Sequence, residues 1–217
     1  MPNIDLFYRI LRVEVEFIIK AFVSIFIIVD PIGLIPGFIA LTAFYSPSKT
    51  KTTVREATLT LILILAIFTL FGKNILNLFG ITIPAFKIAG GIIIFMIAWQ
   101  MLQAKQTRLK ISPEEEAYSK EQDKIGIVPL GVPMLAGPGA ITTVIVLSGE
   151  KQILAKFIIL GSILVTAFLT YFILLFAKRF SDWLGPTGLY IFTRLMGLIL
   201  AAIAVQFVID GIKIVSF

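Results

Sequence analysis

The sequence predicts an all-α integral membrane protein: six transmembrane helices in two inverted three-helix repeats, with helices 1 and 4 broken near mid-membrane. Three observations carry this. Only 15% of the 217 residues are charged while 58% are hydrophobic, and mean hydropathy is +0.99, where a soluble domain has about a quarter charged residues. The apolar runs reach the roughly 20 residues that cross a bilayer. Sliding the chain against itself by 107 positions sets Pro31 on Pro138, Lys87 on Arg194 and Gly90 on Gly197.

The six apolar segments run over 17–44, 56–72, 83–103, 125–148, 154–177 and 189–210. Residues 1–103 form the first repeat and 125–217 the second, in one membrane domain. Between them lies 104–124, "AKQTRLKISPEEEAYSKEQDK", a charged loop without apolar periodicity. Equivalent positions are three spans apart, and an odd number turns the second repeat upside down, as in many secondary transporters. Ten loop Lys and Arg fall on one side and seven on the other, which puts both termini outside. The N-terminus carries Asp5, Glu14 and Glu16 and does not read as a cleavable signal peptide.

Composition excludes several functions. The chain has no Cys and no His, so disulfides, soft-metal centres and histidine relays are not expected. The net charge of +6 is the usual basic excess of membrane loops and not a nucleic-acid footprint. A membrane enzyme is not expected, because Asp30 is the only clearly central carboxylate and no Ser/Lys pair lies at matching depth. No cofactor is expected.

Two segments contain residues that a plain membrane helix avoids: "VDPIGLIPGFIALT" (29–42) and "AGPGAITTVIVLS" (136–148). Asp or Gly is a good N-cap and Pro fits the first helical position, so new half-helices are expected to start at Pro31 and Pro138. Their first N–H groups, on Ile32, Gly33 and Leu34 and on Gly139, Ala140 and Ile141, would lack helical partners and must face protein or a wet cavity. Two such positive helix ends meeting from opposite sides would hold an anion such as a carboxylate. Glycines 33, 37, 137 and 139 permit close approach, and Thr142 and Thr143 offer hydroxyls. The competing reading of each break is a simple kink.

Asp30 is the deepest charge. It either caps its half-helix or meets a substrate ammonium or coupling proton, and the second repeat has Gly137 in its place. Lys87 and Arg194 are gating or coupling candidates, against snorkelling to the interface. The glycines of "AGG" (89–91) and "MGL" (196–198) read as helix-packing positions.

"DPIGLIPGFIALT" (30–42), "PLGVPMLAGPGAITT" (129–143) and "RLMGLILAAIAVQFVIDGI" (194–212) resemble the MarC/SnatA family of integral membrane proteins over nearly the whole chain. The resemblance implies six spans in two inverted repeats, and transport of small neutral amino acids such as glycine and alanine across the prokaryotic cytoplasmic membrane, coupled to H+ or Na+. It carries the family's Asp-Pro-x-Gly onto Asp30-Pro31-Ile32-Gly33 and its Ala-Gly-Pro-Gly onto Ala136-Gly137-Pro138-Gly139. The site this outlines has Asp30 and broken-helix carbonyls facing an ammonium, and residues 32–34 and 139–141 facing a carboxylate. The expected partners are the amino acid, the coupling cation and the lipid bilayer, with a homo-oligomer left open. The alternatives are a channel or efflux protein for other small solutes, and a regulatory protein acting through 104–124.

Overall fold

The computed structural model describes residues 2–103, 125–149 and 153–215, and for 2–14 the backbone alone. The charged stretch 104–124 lies outside the described residues. The elements in chain order are α1 (Pro2–Val29), α2 (Ile35–Leu41), α3 (Pro47–Leu78), α4 (Ile83–Leu102), an irregular coil (Gly126–Leu135), α5 (Pro138–Gly149), α6 (Ile153–Leu175) and α7 (Ala177–Val215).

Local sequence sets the ends. Ser46 caps α3 by accepting from Lys49 N at 3.3 Å, with Pro47 following, and Thr82 caps α4 through Ala85 N at 3.3 Å. Gly80 takes φ +67° and closes α3, with Ile81 N donating to Leu76 O at 2.9 Å. In α7, Gly185 (φ 63°, ψ 173°) before Pro186 bends the helix.

Among the described residues α3, α4, α6 and α7 are long and apolar enough to cross a bilayer, and the coil with α5, bent by 58°, has the length and composition of a fifth, broken span or of a re-entrant loop. The predicted segments 56–72, 83–103, 154–177 and 189–210 fall on these four helices. Two expectations need correction. The first half-helix restarts at Ile35, not at Pro31. The first arm of the fourth segment is not an α-helix. Val128 (φ −132°, ψ 126°) and Val132 (φ −132°, ψ 125°) are extended, each before a cis proline. Extension is the conformation that a following proline favours. Wide turns close this coil, with Leu130 N donating to Ile125 O at 3.2 Å and Ala136 N to Gly131 O at 2.9 Å.

Large apolar side chains fill the interior, among them Leu61, Leu65, Ile94 and Leu130, and also cover the outside. Leu63, Met96, Phe157, Phe168 and Leu198 are exposed, as side chains facing lipid should be. The interior gathers small and hydroxyl residues, among them Thr58, Thr69, Thr142, Thr143, Ser162 and Thr166. Small residues let helices approach where the hydrophobic effect between them is absent. α4 lies along α7, and α3 packs on the coil and on α6. A Cβ on Gly91 would sit 2.8 Å from Ala204 O, one on Gly197 2.9 Å from Met101 Cβ, and one on Gly211 3.0 Å from Pro84 O. The expected packing role of the 89–91 and 196–198 glycines is therefore borne out at Gly91 and Gly197. On α4's other face, a Cβ on Gly90 would overlap the Thr142 side chain of α5.

Gly91→Ala should lower stability by about 1–3 kcal/mol, the cost of overpacking against a backbone atom. Gly161→Ala, whose Cβ would meet nothing within 4 Å, should be neutral or stabilising by up to about 1 kcal/mol. Thermal unfolding of the two variants in detergent compares them directly.

Candidate functional site

The first break is built by Asp30. Its N–H completes the last turn of α1 on Phe26 O at 3.0 Å. Its φ of 44° is in the left-handed region, which Asp tolerates better than most side chains. That turn reverses the chain, and the carboxylate comes round to accept from Gly33 N at 3.1 Å. Asp30 O accepts from Leu34 N at 3.2 Å, and Ile32 O from Ile35 N at 3.1 Å. One residue thus ends one helix and caps the turn before the next. Gly33 is required here, because a Cβ would overlap the Asp30 carboxylate.

The expected trio of free N–H groups at this break is corrected by these bonds. Those of Gly33 and Leu34 are given to Asp30 itself, and only Ile32 N–H lacks an acceptor among the described residues. Pro31 is buried and lies in the turn, not at a helix start.

The second break keeps more of its polarity open. α5 begins at Pro138 as expected. Ile141 N–H is taken by Gly137 O at 3.0 Å, but Gly139 and Ala140 N–H have no acceptor among the described residues. Thr142 and Thr143 are buried, and their hydroxyls donate back to Pro138 O and Gly139 O, both at 2.8 Å. They offer lone pairs rather than protons to a ligand. Gly137 packs under Pro133 O, 2.6 Å from where a Cβ would stand.

The two breaks are neighbours. A Cβ on Gly139 would lie 3.2 Å from Ile28 Cγ2 and 3.0 Å from Ile94 Cγ1, so the end of α1 abuts the start of α5. Val29, Ile35, Leu135, Ala136 and Ala140 share one buried cluster. The positive end of α5 and the carboxylate of Asp30 therefore lie in the same part of the interior.

Lys87 and Arg194 are placed apart from this pair. Lys87 is 4% exposed, and its ammonium reaches Asp210 Oδ2 at 3.6 Å. Asp210 also accepts from Gln206 Nε2 at 2.6 Å. Among the described residues the ion pair of Lys87 is with Asp210, not with Asp30. Arg194 is exposed, with its guanidinium 4.4 Å from the centre of the Tyr190 ring.

Sequence reasoning passed over Glu56, which is half-buried on α3. Its Oε2 is 2.7 Å from where a Cβ on Gly126 would stand. It also passed over Ser162, Thr166 and Thr170, a buried hydroxyl row on α6. Their four-residue spacing was the available signal. Two open grooves lie away from the breaks. One, of about 410 Å³, runs between α1 and α6 past Ile18, Ile19, Phe22, Ile158, Ser162 and Val165. The other, of about 270 Å³, runs between α3 and α6 past Thr58, Ile62, Leu164, Phe168 and Tyr171.

The model of the MarC family of integral membrane proteins matches residues 15–216. A UPF0056 membrane protein of Methanocaldococcus jannaschii is 41% identical over 201 residues, covering 92% of this chain and 98% of its own length. The UPF0056 membrane protein YvbG of Bacillus subtilis is 39% identical over 201 residues, covering 91% and 95%. YhcE of Escherichia coli is 36% identical over 195 residues, covering 89% and 91%. No solved structure matches the chain. The chain belongs to the MarC family and is a multi-pass integral membrane protein whose relatives occur in bacteria and archaea.

Two predictions follow from the breaks and the ion pair. Asp30→Asn, which keeps an acceptor for Gly33 N–H and tolerates positive φ, should unfold near the wild type. Asp30→Ala and Gly33→Ala should each lose about 1–2 kcal/mol, with the double variant well short of the sum because both break one bond. For the ion pair, Asp210→Leu should destabilise more than Lys87→Met with Asp210→Leu, since the single change leaves a buried ammonium without its carboxylate. Thermal unfolding of the variants tests both orderings.

Proposed function

We propose that this MarC-family protein is a secondary transporter of small neutral amino acids, glycine and alanine first, in the prokaryotic cytoplasmic membrane. It works by alternating access and is coupled to H+ or Na+. The observation that carries the reading is the meeting of the two breaks, through Ile28 against Gly139. A free α-amino acid is a zwitterion. Its carboxylate is matched by the open N–H groups of Gly139 and Ala140 at the positive end of α5. Its ammonium is matched by Asp30, whose Oδ1 is engaged by Gly33 N–H and whose Oδ2 remains for a ligand. Ile28, Ile94 and Thr142 crowd this corner, which favours substrates with little or no side chain.

The same reading takes the six spans as two inverted halves. The match of Pro31 with Pro138 supports it, as does the packing of α4 on α7 and of α3 on α6, each a pair of equivalent spans. Movement of one half against the other would open the breaks to each side in turn.

Purified protein in liposomes should take up radiolabelled glycine saturably when a pH or Na+ gradient is imposed, with alanine competing and leucine not. Asp30→Asn and Gly137→Leu should each reduce uptake about tenfold or more, the loss expected from one charge-assisted contact. Uptake unaffected by both changes overturns the site. Gradient-independent, non-saturating flux points to a channel instead.

A further inference from the structure

Among the described residues the buried Ser and Thr hydroxyls follow one habit, with two exceptions. Thr53, Thr58, Thr69, Thr142, Thr143 and Ser162 each donate to the carbonyl four residues back, and Ser148 to the one three back. This is the usual resolution for Ser and Thr inside a helix. Thr166 and Thr170 of α6 are both 0% exposed, and neither Oγ1 has a hydrogen-bond partner among the described residues. They lie one turn apart on one face, and nothing in the sequence around them removes the carbonyl that their neighbours use. A buried hydroxyl left unpaired is costly, so each such group asks for an explanation.

Their depth supplies one. Lys156 Nζ donates to Leu70 O at 3.1 Å, and the second groove sets Thr58 and Ile62 beside Leu164 and Phe168. α3 and α6 are therefore antiparallel, with Thr166 and Thr170 opposite Leu61 and Ala57. The first groove sets Ile18–Phe22 beside Ile158–Val165. α1 and α6 run the same way, so Ile25–Val29 lie level with Thr166–Thr170. α5 and α6 are successive helices, Gly149 and Ile153 being the facing ends. Counting back from them brings Gly139 to the level of Ile163 and Ala136 to that of Thr166. The two orphan hydroxyls stand at the depth of both breaks.

At that depth α1 ends with open carbonyls. Pro31 has no N–H for Ile27 O, Ile32 N–H makes no bond to Ile28 O, and Gly33 N–H goes to Asp30 instead of Val29 O. Oxygen donors and the negative end of a helix dipole thus share one level with two unpartnered hydroxyls. We propose that Thr166 and Thr170, with the last-turn carbonyls of α1, form a site for a dehydrated monovalent cation, Na+. The donors are neutral hard oxygens, which take up no further proton at physiological pH and do not suit a soft metal. A divalent ion would call for several carboxylates, and among the described residues no group of three or more His, Cys, Asp or Glu gathers. Asp30 supplies a negative charge at this level, and the half-buried Glu56 adjoins Ala57 on α3. The inference deepens the transport reading, on which its role as coupling ion rests, while binding itself does not depend on transport.

The test is thermal unfolding of the purified full-length protein in detergent, without amino acid, as NaCl replaces choline chloride or KCl at constant ionic strength. The midpoint should rise saturably with Na+ and not with K+ or choline. Thr166→Val and Thr170→Val should shift the half-maximal Na+ concentration about tenfold or more, the loss expected of one oxygen ligand. Thr166→Ser, which keeps the oxygen, should respond as wild type, and so should Thr69→Val, whose hydroxyl bonds back to Leu65 O. A midpoint indifferent to Na+, or valine variants with an unchanged Na+ response, overturns the site. Glycine uptake that needs no Na+, with a flat stability curve, removes this site and leaves the transport reading. A Na+-dependent midpoint without glycine uptake does the reverse.

Discussion

Inside a bilayer, every backbone N–H and C=O at a helix break must find a partner, because the hydrocarbon offers none. The described structure is organised around how two breaks meet that demand. At the first, one residue does most of the work. Asp30 closes α1 through its N–H, turns the chain with a left-handed φ, and spends its carboxylate and carbonyl on Gly33 and Leu34. At the second, Gly137 offers a carbonyl to Ile141 but no side chain, so Gly139 and Ala140 stay open. The two breaks are set against each other inside the bundle, where Ile28 meets Gly139.

That arrangement requires helices that come very close. Gly, Ala, Ser and Thr accordingly stand at the close helix contacts, between large buried side chains such as Leu61, Leu65, Ile94 and Ile159. α4 supplies both contacts from one turn: Gly90 admits Thr142 of α5, while Gly91 admits the backbone of α7 at Ala204. A larger residue at either place would push α4 away from α5 or from α7. The seam between α4 and α7 also carries the Lys87–Asp210 pair, so a buried ammonium is neutralised within the seam and not at the breaks.

Much of this was legible in sequence, and the misses have physical causes. Long apolar runs located the spans formed by α3, α4, α6 and α7, and Gly-Pro located the start of α5, because those signals are local. The restart at Ile35 was not legible from Asp-Pro, whose reading as an N-cap pair ignores that Asp30 can adopt positive φ and cap from the preceding helix instead. The coil before α5 was hidden in an apolar run, although Val128-Pro129 and Val132-Pro133 already disfavour helix at both valines. Lys87 and Asp210 are far apart in sequence, and only the packing of α4 on α7 pairs them. The hydroxyl row on α6 had the spacing of a helix face, but spacing cannot distinguish a hydroxyl that bonds back to its helix from one that does not.

The difference between the halves bears on what the interior can hold. If both breaks carried Asp at the position of Asp30, two carboxylates would share a low-dielectric site, at a cost of repulsion and desolvation. If both carried Gly, the site would present positive helix ends without a counter-charge and would select simple anions. One of each gives a carboxylate from the first half and open N–H groups from the second, on two breaks that adjoin where Ile28 meets Gly139. A ligand carrying both charges on adjacent atoms satisfies both ends at once. A singly charged one leaves either Asp30 or the end of α5 unmatched. The asymmetry of the two breaks therefore supports the zwitterionic substrate proposed above.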